Sequence, residues 1–446
     1  MRGVVVALGK IGLPVAAQLA RHADEVIGCD IDERLCELVN RGTAPWPGEA
    51  GLDEALSELV SAGRLRAQTD TAAALATGPD LAIAVPALAV DASAAPDYRV
   101  LDAVVADIGR GLQPGTTVSF ETTLPVGTTR ERIAPRLQEL SGLQPDDDFF
   151  LVFSPERVST GRAFADLATY PKLVGGIGPA SEARGVELYR AFLEAEVWPM
   201  GSSETAELTK LAETTYRDVN IALVNEFARF ADRAGIDIDR VIAGANSQPY
   251  SHLHRPGVAV GGHCIPVYPH LYLAEDPGAT LPTTARRVNA SMPAYAVELL
   301  ARELGGDLRG TRVLILGVAY RGGVPETAFS GAFGVRDALA AAGATPVATD
   351  PLYGADALAA EGFLPWEGED VDGAILQTDH RAYRDLGPGD LPGVRAVVDG
   401  RDVLDPQPFA AAGVALKRIG RPSEDQTGPS SPSRASATRS PARPSP

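Results

Sequence analysis

Short apolar runs recur along the first half of the chain, at residues 4–8, 25–29, 81–85, 117–120 and 149–153. Near-continuous apolar runs of this length mark strands covered on both faces. Between them lie Ala-rich segments with helical spacing, such as 14–21 and 102–109. Strand–helix alternation predicts a parallel, doubly wound sheet over residues 1–200.

The rhythm changes at Ser203. Ser followed by Glu204 suits a helix start with an acidic first turn. No Pro or Gly then occurs until Gly235, which predicts one long helix of the kind that connects domains or packs against a second subunit. A Gly/Pro-rich stretch follows at 256–269, and another helix is expected over 283–304. From 311 the alternation restarts, with strands at 312–316, 346–349, 373–377 and 394–398 and a helix over 334–342. Past about 422 the chain turns to Pro, Ser, Arg and Ala without apolar periodicity, which predicts disorder. The expected fold class is α/β: two Rossmann-like doubly wound parallel-sheet domains (1–200 and 306–421) joined by a central helical domain (201–305), with a tail at 422–446.

Composition narrows the function classes. The 446 residues carry 40 Lys+Arg against 58 Asp+Glu, a formal net charge of −18. That balance argues against nucleic acid and anionic membranes as partners, since both need clustered positive charge. No apolar run is long enough to span a bilayer, and the N-terminus lacks the pattern of a secretory signal. Three unevenly spaced cysteines, Cys29, Cys36 and Cys264, fit a reducing cytoplasm and neither a disulfide framework nor a metal site. Only four basic residues are Lys: Lys10, Lys172, Lys210 and Lys417.

Candidate chemistry sits at the ends of the predicted strands. The first turn reads Ala7-Leu8-Gly9-Lys10-Ile11-Gly12, between a strand and a helix, as in a dinucleotide fingerprint whose first glycine is replaced by Ala. Glycines let the backbone approach a pyrophosphate, and the helix N-terminus stabilises its charge. Asp30 closes the second strand, where a carboxylate accepts hydrogen bonds from both ribose hydroxyls and repels a 2′-phosphate; this favours NAD over NADP. A turn without ligand is the plainer alternative. The long helix aligns Lys210, Thr214 and Arg217 on one face, where Lys210 is either a solvated charge or part of a site. The run Gly257-Val258-Ala259-Val260-Gly261-Gly262-His263-Cys264 places a thiol behind an open glycine loop, accessible to an electrophile, with backbone N–H groups at hand for an oxyanion. Cys264 is there a nucleophile or a filler, and His263 a substrate contact or an ordinary loop residue. Two further runs, Glu121-Thr122-Thr123-Leu124-Pro125-Val126-Gly127 and Phe153-Ser154-Pro155-Glu156-Arg157, follow strands. Glu156 is a general base or the cap of the next helix, and Thr123 a substrate contact or a turn residue.

Taken in order, these residues resemble the UDP-glucose/GDP-mannose dehydrogenase family over residues 1 to about 420. Gly317-Val318-Ala319-Tyr320-Arg321, Asp350-Pro351 and Thr378-Asp379-His380 fit as well. The resemblance implies an NAD-dependent enzyme that oxidises a nucleotide sugar twice at carbon six, through a thiohemiacetal and a thioester on a cysteine, and releases a uronic acid. It makes Cys264 the nucleophile, Lys210 the oxyanion stabiliser, Glu156 the base and Thr123 the residue that positions water or hydroxyl. It implies NAD held by Leu8, Gly9, Lys10, Ile11, Gly12, Asp30, Arg34, Val85, Pro86 and Thr123. For the UDP-sugar it implies Phe153, Glu156, Arg157, Lys210, Thr214, Arg217, Tyr250, Gly257, Gly261, Gly262, His263 and Arg321, with no metal. It also implies a homodimer through the central helix and nucleotide binding by the C-terminal domain. His before the Cys resembles the UDP-N-acetylhexosamine branch, of mannosamine or glucosamine type, where the UDP-glucose and GDP-mannose enzymes usually have Ser.

Four positions depart from the family. Tyr268 stands where an Asp usually helps activate water, Thr214 replaces an Asn, and Ala328 and Tyr250 each replace an Arg. A phenol with a pKa near 10 does not replace a carboxylate base at neutral pH. The alternatives to a UDP-N-acetylhexosamine 6-dehydrogenase are therefore a UDP-glucose enzyme, a variant that stalls at partial oxidation, and a non-catalytic nucleotide-sugar binder. No motif reads out which sugar is bound.

Overall fold

The computed structural model describes residues 1–91 and 93–422; the tail expected to be disordered lies outside them from residue 423 onward. Strands β1 (Arg2–Val6), β2 (Glu25–Cys29), β3 (Leu65–Gln68) and β4 (Leu81–Ala84) precede a small antiparallel hairpin of β5 (Ala89–Val90) and β6 (Pro96–Asp97). Then come β7 (Thr117–Phe120), β8 (Phe150–Phe153), β9 (Lys172–Gly176) and β10 (Val197–Pro199). Eight of them form one sheet in the order β10-β9-β8-β7-β4-β1-β2-β3. β4 and β7 are buried along their whole length, because helices cover both faces. Leu13, Leu19, Leu56 and Tyr189 pack one side; Leu101, Ile108, Phe120 and Leu137 pack the other.

The expected parallel sheet holds from β3 to β8 and fails at one joint. β9 runs antiparallel to β8, with Gly176 opposite Val152 and Gly175 opposite Phe153. An antiparallel neighbour needs no crossover helix, and the chain returns beside β8 with only the short helix Ala163–Thr169 between.

The second sheet is parallel throughout: β11 (Arg312–Leu316), β12 (Thr345–Thr349), β13 (Gly373–Leu376), β14 (Ala396–Asp399) and β15 (Ala415–Arg418), in the order β12-β11-β13-β14-β15. Each sheet belongs to its own compact unit. One unit comprises Met1–Val219 and His263–Arg286; the other comprises Asn220–Gly262 and the chain from Arg287 onward.

The middle of the chain holds one uninterrupted helix, Ser203–Ala234, as the absence of Gly and Pro predicts. Two expectations change there. The stretch read as Gly/Pro-rich loop becomes helical at Cys264, and that helix runs to Glu275. Pro266 falls in its first turn, where the missing N–H would have no partner anyway; Pro269 lies inside it. The single helix expected over 283–304 is two, Thr280–Ala290 and Met292–Glu303, with Pro293 in the first turn of the second. Among the described residues no helix is long and apolar enough to cross a membrane.

Candidate active site

The turn after β1 shows why its glycines are where they are. A Cβ on Gly12 would lie 1.9 Å from the Ala7 carbonyl oxygen, so any side chain would push the helix off the strand. Ala7 takes the left-handed conformation, at φ 71°, in the place of the missing first glycine. A Cβ on Gly9 would meet nothing within 4 Å, which leaves open space in front of the turn. The helix Gly12–Ala20 has neither a side-chain cap nor an acidic residue in its first turn, so its positive end is left for an external anion. Asp30 accepts the Leu8 N–H at Oδ2 (2.8 Å) and the Asp32 N–H at Oδ1 (3.0 Å), which fixes the carboxylate beside the turn. An open cradle, an uncapped helix end and a fixed carboxylate fit a dinucleotide with a free 2′-hydroxyl. Leu8 and Pro86 are buried, Lys10, Ile11 and Val85 half-buried, and Arg34 is exposed. Asp30→Ser removes charge-assisted bonds worth about 1.5–3 kcal/mol each. The expected result is a fall in kcat/KM for NAD of roughly tenfold or more with a rise in the NADP/NAD ratio; steady-state kinetics with both cofactors checks it.

The loop after β7 is tied to the long helix. Glu207, fully buried, accepts the N–H groups of Gly127 (2.6 Å) and Thr129 (2.9 Å) and the Thr129 hydroxyl (2.6 Å). Burial raises its carboxyl to about 7. Thr122 donates to the Pro86 carbonyl, which places Thr123 at the end of the sheet. Lys210 is buried one turn along the same helix. The Thr214 hydroxyl donates to the carbonyls of Lys210 (3.0 Å) and Leu211 (3.1 Å), so its proton is spent on the helix. Arg217 is exposed.

Cys264 is exposed at the first residue of its helix. Arg286 pairs with the buried Asp218 of the long helix and reaches the Pro266 carbonyl (3.4 Å), which anchors the cysteine helix to that long helix. Tyr268, one turn after Cys264, lies beside the side chains of Thr123 and Cys264. Burial, reinforced by Cys264, pushes its phenol well above the usual range, so Tyr268 stays protonated. The structure thus brings Thr123, Cys264 and Tyr268 together. His263 is exposed.

Glu156 has a denser setting than a free base. Its Oε1 accepts the N–H groups of Arg157 (2.6 Å) and Val158 (3.0 Å), and its Oε2 meets Lys172 Nζ at 2.8 Å. Lys172 also lies 3.0 Å from Glu121 Oε2, within ion-pair range but off the hydrogen-bonding direction. Glu121 accepts the Tyr189 hydroxyl at its other oxygen, and Tyr189 meets Ser119 Oγ at 2.7 Å. Burial works against the charge on Glu156, but Lys172 outweighs it and holds the carboxyl below its ordinary value. Burial raises Glu121 to about 7 despite Lys172. Sequence reasoning missed Lys172 and Tyr189 as site residues; the scarcity of Lys was the one available signal. Phe153 is buried at the end of β8. Arg157 donates to the Pro171 carbonyl (3.3 Å) and lies 3.4 Å from the Glu213 carboxylate.

In the other unit, the Gly257 N–H donates to Asn225 Oδ1 (3.1 Å), and Gly262, at φ 86°, donates to the Ala328 carbonyl (3.0 Å). A Cβ on Gly261 or Gly262 would come within 2.8 or 2.9 Å of Tyr320, so the loop closes on that ring only with glycine. Arg321 is exposed, and Tyr250 is 93% exposed. The Arg401 guanidinium, not singled out from sequence, donates to the Gln377 carbonyl (2.7 Å) and to its Oε1 (3.1 Å).

Three family models match the chain in order: the NAD binding domain of the UDP-glucose/GDP-mannose dehydrogenase family over residues 1–193, its central domain over 204–291 and its UDP binding domain over 314–406. The chain belongs to the UDP-glucose/GDP-mannose dehydrogenase family. It is an NAD-dependent UDP-sugar dehydrogenase, an oxidoreductase acting on a CH–OH group. A UDP-N-acetyl-D-mannosamine dehydrogenase of Pyrococcus horikoshii is 33% identical over 432 residues, covering 94% of this chain and 99% of the relative. The solved UDP-D-ManNAc dehydrogenase from the same organism superposes with a TM-score of 0.85 at 30% identity, covering 94% and 99% of the two chains. A UDP-glucose dehydrogenase from Pyrobaculum islandicum reaches 0.83 at 26% identity, over 94% and 98%. The two scores are so close that backbone shape does not select the sugar.

Proposed function

We propose that the chain oxidises carbon six of a UDP-N-acetylhexosamine, of mannosamine or glucosamine type, twice and releases the uronic acid, with Cys264 as nucleophile. The observation that carries this reading is the place of Cys264: it is exposed at the first residue of its helix, with Tyr268 one turn on lying beside both Cys264 and Thr123, the residue at the end of the dinucleotide-binding sheet. Hydride acceptance is the chemistry NAD supplies when bound. Thr123 holds the reacting hydroxyl. The Cys264 sulfur adds to the aldehyde carbon, Lys210 stabilises the oxygen anion so formed, and a second oxidation leaves a thioester. Glu156, kept ionised, takes a proton from the water that releases the acid. Leu8 to Gly12, Asp30, Arg34, Val85 and Pro86 hold NAD; Phe153, Arg157, Thr214, Arg217, Tyr250, Gly257, Gly261, Gly262, His263 and Arg321 bind the UDP-sugar. The relatives named for UDP-N-acetylmannosamine support the hexosamine assignment.

The same reading takes residues 1–200, 201–305 and 306–421 as the NAD, central and UDP-sugar domains of a cytoplasmic homodimer. Leu223, Phe227 and Phe230 stand exposed at helical spacing on the Ser203–Ala234 helix, which suits the subunit contact. NADH formation with a panel of UDP-sugars, read together with product mass, tests the proposal. Two NADH per uronic acid support it, and no NADH with any UDP-N-acetylhexosamine overturns it.

Tyr268 favours a second reading, in which the thioester accumulates because no carboxylate stands one turn after Cys264. Intact-protein mass spectrometry during turnover then finds sugar on Cys264. Tyr268→Asp releases it and raises kcat several-fold, a small part of the roughly 10²–10⁴ a positioned base contributes. An unchanged kcat would count against this reading.

A further inference from the structure

Two carboxylates and one ammonium lie together beneath the end of the first sheet. Lys172 on β9 is 5% exposed, Glu121 just after β7 is fully buried, and Glu156 just after β8 is 9% exposed. Their charges do not cancel: two negatives face one positive, and a buried excess charge is costly. The cluster is relieved by one proton. The surroundings of the two carboxyls differ. Glu156 is served by two backbone N–H groups and by Lys172 at 2.8 Å. Glu121 has the Tyr189 hydroxyl and an ammonium that is close but poorly aligned. Charge is therefore better satisfied on Glu156, and the proton better placed on Glu121.

We propose that Glu121 is the proton-holding partner of Glu156: the proton that Glu156 takes from water is handed on to Glu121 within the cluster that Lys172 holds together. The Glu156 carboxyl gives up the proton and the Glu121 carboxylate gains it. The Lys172 ammonium is unchanged at the end, the proton has moved one carboxyl inward, and no electrons are transferred. Glu156 is again a carboxylate while product is still bound. The proton returns by the same path when the site opens. Glu121 is a positioning residue in this scheme, since it acts through Glu156 and touches no substrate. The scheme rests on Glu156 being the base.

The relay needs Glu121 ionised before turnover, so activity rises with pH as Glu121 loses its proton, near 7. The titratable or charged groups that face Glu121 are Lys172 on β9, Glu156 after β8 and Tyr189 on the Pro179–Phe192 helix. β4, on its other side, offers only Leu81–Ala84, all apolar.

The test is the pH profile of kcat, with NAD and UDP-N-acetylmannosamine as probe, for three variants. Glu121→Gln removes the competing carboxylate, so the acid limb moves down by about one unit or more, and kcat at its plateau falls several-fold with KM within about twofold. Tyr189→Phe keeps the carboxyl but removes its donor, so the limb moves up. A purely structural role does not move the limb in opposite senses in the two variants. An acid limb that stays in place in both variants overturns the proposal, and Tyr189→Phe decides alone if Glu121→Gln fails to fold. Glu156→Gln separates the two levels: full activity there overturns the base assignment itself, whatever Glu121 does.

Discussion

On the proposed mechanism, the expected result of Cys264→Ser is that uronic acid formation stops. With the sulfur gone, the aldehyde has no thiol to hold it for the second oxidation, and serine is a far weaker nucleophile at neutral pH. The expected loss is at least about a thousandfold in kcat for acid release, the scale seen when a covalent nucleophile is removed. In that mechanism the first oxidation does not use the sulfur, so one NADH per enzyme-bound sugar is expected to survive in a single turnover. Fold is not at stake, because Cys264 is exposed and fills no core. Stopped-flow NADH absorbance and product mass check the result together. Acid release within tenfold of the wild type would remove Cys264 from the mechanism.

Lys172→Met should cost more stability than any other single lysine change. The substitution keeps the apolar stem and deletes the one cation shared by Glu121 and Glu156. Breaking a buried pair leaves an uncompensated charge and costs about 3–5 kcal/mol. The penalty depends on pH with a definite sign. Without Lys172 both carboxyls have folded-state pKa values raised above the unfolded values, so folding takes up protons. The variant is then least impaired below the unfolded carboxyl range and loses stability as pH rises through the folded values. Thermal melts from about pH 5 to about pH 8 should show the gap to wild type widening with pH. Lys172→Arg, which restores the charge, should recover part of it. A gap that is flat, or that narrows with pH, would show that Lys172 does not neutralise the pair.

These two residues also mark what the sequence discloses and what it hides. Cys264 stands in a contiguous run of glycines and could be singled out from one stretch of chain. So could the Gly9–Gly12 turn with Asp30, because β1 and β2 are near-uniform apolar runs. β9 was missed: Lys172-Leu173-Val174-Gly175-Gly176 begins with a charge and ends in two glycines, yet all five residues are buried. The charge is tolerated only because Glu156 and Glu121 come from 16 and 51 positions earlier. Tyr189, 68 positions from Glu121, is on the page only once the sheet is assembled. β3 was missed for a different reason: Leu65-Arg66-Ala67-Gln68 is an edge strand with one face exposed, too short for its alternation to be distinctive. The helix at Cys264 was masked by Pro266 and Pro269, which read as loop by composition and are absorbed by position. Local chemistry carries a motif; a network of buried charges exists only in three dimensions.

Lys172, Lys210 and Lys417 are each less than a tenth exposed, which leaves Lys10, in the turn after β1, as the least buried of the four lysines in the chain. An amine-selective acylating reagent therefore has, besides the N-terminal amine, one lysine within reach on this protein. That lysine lies in the turn proposed to hold the dinucleotide. The mass of a single peptide, followed with and without added NAD, becomes a direct meter of cofactor occupancy that needs no substrate and no turnover.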